Sequence, residues 1–291
     1  MQKNTFYSKV IAGTMTWGSW GKQFSKNQIT DLMHHCLDVG ITTFDHADIY
    51  GDYTNETDFG NAFFKSGISR ESIQLISKCG IQFDAVGRKN RVKHYDYSKE
   101  YIIRSVERSL ESLNTEYLDM LLLHRPSPLM HPDEVSEAIL RLQNEGKVRD
   151  FGVSNFKPSQ IAALETVVPV VSNQVEFSLT TNDVMYDGTL DDCLVNKRMA
   201  MSWSPLGTFF KENNETSERI RRVLTPMLEK YDATQDQLLL AWVLRHPSRV
   251  HPVVGTTTKP RLAAATAAAN IDMEIQDWFL LLEAANGSEV P

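Results

Sequence analysis

The chain has 291 residues, of which 42% are hydrophobic, 23% charged and 9% aromatic, which excludes a disordered, collagen-like or disulfide-rich protein. This length permits a single α/β barrel, since such barrels reach about 250 residues as one domain. The formal net charge is -7 and the basic residues Arg88, Lys89, Arg91 and Lys93 form only a scattered group, so we expect no nucleic-acid and no anionic-membrane partner.

Short apolar runs alternate with longer segments along the whole chain. The runs rich in β-forming residues predict strands, and each is followed by a stretch long enough for a helix. The predicted strands cover residues 9–14, 41–47, 73–77, 118–123, 150–154, 170–175, 200–203 and 250–255.

Helix boundaries are marked between these strands. Ser25 with Gln28 predicts a capping box, and Gly40 is placed to end the helix that follows. Ser98 predicts the cap of a later helix, and Pro132 predicts the first turn of another. These signals indicate amphipathic helices that cover a sheet.

The strand–helix rhythm predicts an α/β fold, a (β/α)8 TIM barrel, over residues 1–291 as a single domain. A doubly wound sheet fits less well, because the chain lacks a GxGxxG turn after the first strand. Two irregular segments, 81–97 and 207–217, follow the third and seventh strands, where barrel enzymes place functional loops.

The sequence predicts a cytoplasmic protein. The N-terminus has no apolar core typical of a secretory signal, and no run of 18 apolar residues predicts a membrane span. Cys36, Cys79 and Cys193 are far apart and odd in number, which favours reduced thiols over disulfides or a zinc site.

Four polar residues follow apolar runs at predicted strand ends: Asp45, Tyr50, Lys78 and His124. Each alone is more often a satisfied structural group than a functional one. Together they form a proton-transfer device, because the Lys78 ammonium would lower the pKa of Tyr50 and Asp45 would balance the buried ammonium. A neutral His124 would hydrogen-bond a carbonyl oxygen near the tyrosine hydroxyl.

Other chemical patterns are weaker. The GVSNF segment resembles a serine nucleophile elbow only superficially, because Phe156 stands where a small residue is needed. His34 and His35 are neighbours on one helix and point about 100° apart, so they cannot share a metal. A metal-dependent hydrolase would have to use His46, Asp48 and His124, without further ligands at strand ends.

The segments FDHADIYG, LISKCG and LLLHRP, followed by GKVRDFGVSNF, SNQVEFS, SWSPLG and PVVGTTTKPRL, resemble the aldo-keto reductase superfamily from about residue 9 to 269. The phrases KCGI, HYDYSKEYI, LLLHRPSPLMHPDEV and DGTLDDC are most similar to a bacterial branch of YdhF-like aldo/keto oxidoreductases. This resemblance implies a barrel enzyme that transfers hydride from NADPH to a small-molecule aldehyde or ketone, commonly as a monomer.

The resemblance also implies residue roles. Tyr50 would be the general acid, Lys78 and Asp45 would tune it, and His124 would orient the carbonyl. An alternative is a regulatory or interaction subunit that keeps the fold and binds NADPH with slow turnover. The intact set of four residues favours the enzyme.

The cofactor residues implied by the resemblance lie at strand ends and in two turns. They are Gly13, Thr14, Met15, Ser154, Asn155, Gln174, Trp203, Ser204, Leu206, Gly207, Gly255, Thr256, Thr257, Thr258, Lys259 and Arg261. Gly255 and Ala265 depart from the Lys and Asn common in the family, so the 2′-phosphate would rest chiefly on Arg261, whose guanidinium suits bidentate phosphate binding.

Substrate residues are predicted from aromatic side chains near the candidate site. Trp17, Trp20, Phe209 and Phe210, with His94 and Tyr95 from the third loop, predict an apolar pocket mouth.

Overall fold

Eight parallel strands close into a barrel in the computed structural model, which describes residues 7–85 and 88–290. Each predicted strand segment contains or overlaps one barrel strand, so the predicted (β/α)8 barrel is confirmed. The strands are β1 (Ile11–Gly13), β2 (Thr43–Asp45), β3 (Gln74–Cys79), β4 (Ile81–Gln82), β5 (His94–Tyr95), β6 (Leu118–Leu123), β7 (Val148–Ser154), β8 (Ser172–Glu176), β9 (Met199–Trp203) and β10 (His251–Val254). The barrel strands neighbour one another in the order β1, β10, β9, β8, β7, β6, β3, β2.

Helices surround the barrel, and the predicted start signals are confirmed. Ser25 and Gln28 form a capping box, and the Ser98 side chain accepts a hydrogen bond from the Tyr101 backbone. The helices are α1 (Lys26–Asp38), α2 (Tyr50–Tyr53), α3 (Asn55–Ser66), α4 (Lys99–Leu113), α5 (Pro132–Asn144), α6 (Pro158–Glu165), α7 (Thr189–Val195), α8 (Glu215–Lys230), α9 (Gln235–Leu244), α10 (Lys259–Ala267) and α11 (Ile275–Asn286).

The barrel interior is filled with side chains. Ile76, Met120, Leu122, Met201 and Val253 form a buried cluster inside it. Two larger clusters lie between the strands and the helices. Because the interior is packed, a ligand can reach the strands only at the two ends of the barrel, and barrel enzymes use the carboxyl end.

The third loop is more ordered than predicted. β4 and β5 form a short antiparallel pair, with Ile81 opposite Tyr95, whereas we expected 81–97 to be irregular. Strands of two residues leave no alternating pattern in the sequence, which explains the error. Residues 86 and 87 of this loop lie outside the described residues.

The seventh loop is shorter than predicted, because α8 begins at Glu215 and the expected loop extended to residue 217. Asn214 caps the helix by accepting a hydrogen bond from the Ser217 backbone. Within residues 7–85 and 88–290, no helix is both long and apolar enough to span a membrane.

Candidate active site

The four predicted catalytic residues meet at the carboxyl ends of β2, β3 and β6. Lys78 Nζ lies 2.7 Å from both Asp45 oxygens and 3.3 Å from the Tyr50 hydroxyl. The Tyr50 and His124 ring centroids are 6.1 Å apart. One ammonium therefore contacts both the carboxylate and the phenol, as the sequence predicts.

The segment from Asp45 to Tyr50 is held by bonds to its backbone. Lys78 Nζ donates to the His46 carbonyl at 2.8 Å. The Thr14 hydroxyl donates to the Asp45 carbonyl and lies 2.9 Å from His46 Nδ1. These contacts fix the position from which α2 presents Tyr50 to the barrel mouth.

Lys78 is charged in this environment. Burial alone would lower its pKa, but the Asp45 carboxylate and the Tyr50 hydroxyl raise the pKa above its ordinary value. Lys78 is 1% exposed and Asp45 is 2% exposed, so each group depends on the other for charge balance.

The Tyr50 pKa differs in direction from the prediction. Burial raises it above its ordinary value, and the opposing effect of Lys78 is smaller. We predicted a lowered pKa because the depth of burial is not visible in sequence. Tyr50 therefore keeps its proton at neutral pH, and it is the Lys78 ammonium, which acts to lower this pKa, that favours the phenolate once the proton has left.

His124 is neutral. Burial, with Lys78 and Arg125 nearby, holds its pKa well below the usual range. Its Nδ1 is buried and has no hydrogen-bond partner within the described residues. A buried polar atom without a partner indicates a position for water or a ligand group.

Four predicted cofactor residues form one hydrogen-bonded chain that ends at the Asp45 carboxylate. The Trp203 indole donates to Asn155 Oδ1 at 3.0 Å, and Asn155 Nδ2 donates to the Ser154 hydroxyl at 2.8 Å. Ser154 donates to the Gln174 carbonyl, and Gln174 Nε2 donates to Asp45 Oδ1 at 3.0 Å. Sequence reasoning missed this last bond, since no local signal relates positions 129 residues apart.

The end of β1 contributes mainly backbone atoms to the candidate site. Thr14 is 1% exposed and its hydroxyl is directed at the Asp45 backbone, whereas Met15 is 45% exposed. A Cβ at Gly13 would lie 3.1 Å from Val253, so the strand packs closely there. Asn55 donates to the carbonyls of Thr14 and Met15 and holds this segment in place.

The segment from Ser204 to Gly207 is a tight turn. The Gly207 N–H donates to the Ser204 carbonyl at 2.8 Å. Gly207 has a positive φ of 55°, and a Cβ there would lie 1.9 Å from the Thr180 hydroxyl. Glycine is therefore required, and Leu206 packs against the two core clusters outside the barrel.

The segment from Gly255 to Arg261 leads into α10. Thr256 and Thr257 are half-buried, Gly255 and Thr258 are exposed, and the exposed Lys259 ammonium pairs with Asp31 at 2.7 Å. Lys259 is thus already paired. Arg261 is exposed and forms no ion pair with any carboxylate in residues 7–85 and 88–290.

The aromatic mouth differs in part from the prediction. The Trp20 ring lies 6.2 Å from Tyr50 and 6.1 Å from Phe83, and its indole donates to Asp52. Phe83 also stacks on Tyr53 at 5.3 Å. Neither Phe83 nor Tyr53 was predicted, because the direction of the third loop decides which aromatic residues face the site.

Two predicted substrate residues are core residues. Trp17 is 3% exposed and packs against Phe44 and Phe59, and Phe209 is 1% exposed in the cluster between barrel and α8. Both were expected at the pocket mouth, but their side chains lie in the core, where burial removes their large apolar surfaces from water. Phe210 is exposed, His94 is exposed, and Tyr95 is half-buried near Tyr53 and Phe83.

The rival sites have no supporting geometry. No group of three or more His, Cys, Asp or Glu side chains is arranged to hold a metal among residues 7–85 and 88–290. The Asp48 carboxylate accepts from Tyr101 and Ser105 instead. His34 and His35 each contact a separate backbone carbonyl.

Two buried carboxylates, Asp48 and Glu56, line a cavity of about 240 Å³. Burial raises the pKa of Asp48 to about 6 and that of Glu56 to about 7. Ser77, next to Lys78 in the chain, donates to Glu56 at 2.6 Å. Asp48 and Glu56 are thus a second set of protonatable groups, separate from the four predicted catalytic residues.

The raised pKa of Glu56 predicts that the free energy of unfolding depends on pH. The folded state holds its proton up to about pH 7, but the unfolded chain releases it near its ordinary value of 4.5. The free energy of unfolding is therefore expected to fall as pH rises through this range. Glu56→Gln should weaken that fall, measured by urea unfolding at pH 5 and pH 8. The exposed Glu116→Gln, outside the cavity, is the control, and an equal slope in both variants would contradict the assignment.

The fold and the site define a class: a parallel barrel enzyme with a buried Lys–Asp pair, a tyrosine and a neutral histidine at the carboxyl ends of its strands. Residues 9–285 match the Aldo/keto reductase family. The chain belongs to this family and is an oxidoreductase, as its sequence motifs predict.

Similar proteins agree with this assignment. The chain is 42% identical to the uncharacterized oxidoreductase YcsN of Bacillus subtilis (strain 168) and 40% identical to the oxidoreductase YdhF of Escherichia coli (strain K12), each over 98% of this chain and 96% of the relative. The predicted similarity to YdhF-like proteins is therefore confirmed. An aldo/keto reductase from Klebsiella pneumoniae, solved in complex with NADP and acetate, is 26% identical with a TM-score of 0.79, covering 97% of this chain and 92% of that one.

Proposed function

We propose that residues 1–291 form a single, monomeric NADPH-dependent reductase of small-molecule aldehydes or ketones. The observation that carries the proposal is the contact of Lys78 with both Asp45 and the Tyr50 hydroxyl beside a neutral His124. The NADP bound by the Klebsiella pneumoniae relative supports the choice of cofactor.

The chemistry of the donor set fits a nicotinamide dinucleotide. Gln174 Oε1 makes no hydrogen bond within the described residues and is free to accept from a carboxamide, which Ser154 and Asn155 adjoin. Trp203, half-buried beside Asn155, offers an aromatic face. The unpaired Arg261 guanidinium suits a 2′-phosphate. When bound, the reduced dinucleotide supplies hydride to the carbonyl carbon.

Residues of the chain orient the carbonyl group and transfer the proton. Neutral His124 and the Tyr50 hydroxyl hydrogen-bond the carbonyl oxygen and orient it. As negative charge develops on that oxygen, Tyr50 donates its proton to it, and the neighbouring Lys78 ammonium stabilises the resulting phenolate. Asp45 keeps Lys78 charged and in position through both carboxylate oxygens.

The test is a panel of aldehydes and ketones against NADPH oxidation. Steady turnover of at least one simple aldehyde supports the enzyme. Tight NADPH binding without turnover of any compound would instead support the regulatory or interaction subunit.

Arg261→Ala is expected to weaken NADPH binding by about ten- to a hundredfold and to leave NADH binding nearly unchanged. Charge-assisted hydrogen bonds to a phosphate are worth about 1.5–3 kcal/mol, and NADH lacks the 2′-phosphate. Both dinucleotides are titrated by protein fluorescence. Arg245→Ala, which removes a surface arginine paired with Asp272, is the matched control. Equal weakening of both dinucleotides, or of neither, would show that the phosphate does not bind Arg261.

A further inference from the structure

Arg125 is a cation at the barrel mouth that the reaction described above does not use. It follows His124 directly, and its guanidinium carbon lies 5.4 Å from the centre of the Trp203 ring. The residue is half-buried, and it forms no ion pair with any carboxylate in the described part of the chain. Among the other half-buried arginines of the described residues, Arg70 and Arg219 bind carboxylates, whereas Arg88 and Arg221, like Arg125, form no ion pair.

The backbone of Arg125 is fixed by one buried side chain. The Arg125 N–H lies 3.1 Å from the Tyr97 hydroxyl, which itself donates to the Arg125 carbonyl at 2.6 Å. Tyr97 is 5% exposed and packs in the core. The side chain of Arg125 thus starts from a rigid position at the end of β6 and extends toward the end of β9, where Trp203 lies.

The Arg125 charge acts on the catalytic groups. It contributes to the low pKa of His124 and opposes the rise of the Tyr50 pKa. Since Arg125 follows His124 directly and its guanidinium lies 5.4 Å from the Trp203 ring, the guanidinium lies at the same end of the barrel as the predicted catalytic residues. Its planar fork of N–H donors matches a carboxylate.

We propose that Arg125 binds a carboxylate carried by the carbonyl substrate, so that the preferred substrates are aldehydes or ketones with a carboxylate at some distance from the reacting carbon. This inference rests on the proposed reductase function. It assigns Arg125 to a second anchor point, separate from the carbonyl oxygen that Tyr50 and His124 hold.

The experiment compares three aldehydes that differ only at the para position: 4-carboxybenzaldehyde, 4-(hydroxymethyl)benzaldehyde and 4-methylbenzaldehyde. Arg125→Gln is expected to lower kcat/KM for the carboxylate by about ten- to a hundredfold and for the other two by less than about threefold. Arg125→Lys should retain part of the preference, because it keeps the charge without the fork. Arg245→Gln is the control for loss of a surface arginine.

Several outcomes would overturn the inference. An equal loss for all three aldehydes would show a structural role, and an equal loss for the carboxylate and hydroxymethyl compounds would show recognition of a neutral oxygen. Weaker NADPH binding in Arg125→Gln would assign the residue to the cofactor.

A binding measurement keeps the inference separate from the proposed function. Tryptophan fluorescence follows the binding of 4-carboxybenzaldehyde and 4-methylbenzaldehyde to the NADP⁺-loaded protein without turnover. If Arg125→Gln weakens the binding of 4-carboxybenzaldehyde but not that of 4-methylbenzaldehyde, the result supports the role of Arg125 as an anchor. This holds even if no aldehyde is reduced, in which case only the proposed function fails. Unchanged affinity for both compounds would overturn the anchor.

Discussion

Tyr50→Phe is expected to lower kcat by at least about 10²-fold while the fold and the affinity for NADPH stay unchanged. The substitution removes the proton donor and little else, and general acid catalysis contributes about 10²–10⁴-fold. The hydroxyl it removes has Lys78 Nζ at 3.3 Å. Steady-state kinetics with the best aldehyde of the panel and fluorescence titration of NADPH measure the two quantities.

Tyr53→Phe is the matched control for Tyr50→Phe. Tyr53 lies on the same short helix, but its hydroxyl lies 3.5 Å from the Ile81 carbonyl instead of facing Lys78. We expect kcat in this variant to stay within about threefold of the wild-type value, far less than the loss of a general acid. Near-normal turnover in Tyr50→Phe, or equal losses in both variants, would remove Tyr50 from the role of acid.

Lys78→Met is expected to reduce kcat by a similar factor and also to destabilise the fold. It leaves the Asp45 carboxylate, 2% exposed, without its counter-ion, and breaking a buried pair in this way costs about 3–5 kcal/mol. Asp45→Asn combined with Lys78→Met removes the unpaired charge and should recover much of the free energy of unfolding but not the activity. Urea unfolding and steady-state kinetics on both proteins separate the two effects.

The Tyr50 and Lys78 substitutions should also be strongly non-additive. Both act on one proton transfer, so the double variant is expected to lose much less than the product of the two single losses. Losses that multiply would mean that the 3.3 Å contact between the two side chains has no part in catalysis.

The spatial cluster of the proposed catalytic residues was predictable from their positions in the chain. Asp45, Lys78 and His124 each end an apolar run, and in a parallel barrel the carboxyl ends of neighbouring strands meet. The fold itself followed from the same alternation of short apolar runs with capped amphipathic segments.

The features that the sequence could not predict depend on how deeply side chains are buried and on the paths of the loops. The raised pKa of Tyr50 results from burial, which the residues near position 50 do not encode. Trp17 and Phe209 were expected at the pocket mouth and instead complete the core, whereas Phe83 takes a place beside Trp20. Each outcome is decided by packing between segments far apart in the chain.

The Gln174–Asp45 hydrogen bond is another such contact. β8 and β2 are not neighbours in the barrel, so no strand pairing predicts that their side chains meet across its mouth. The bond links the residues proposed for the carboxamide to the carboxylate that holds Lys78. Only the three-dimensional structure of the closed barrel reveals this hydrogen bond.

The measurement that tests the proposed reaction most directly follows the hydride itself. NADPH carrying deuterium at both C4 positions is incubated with the protein and an aldehyde that the panel shows to be consumed, and the alcohol is analysed by mass spectrometry. The account predicts one deuterium on the former carbonyl carbon for each NADPH oxidised, and a large loss of this product in Tyr50→Phe. Bound NADPH with no deuterated alcohol, or alcohol formation unaffected by Tyr50→Phe, would contradict it.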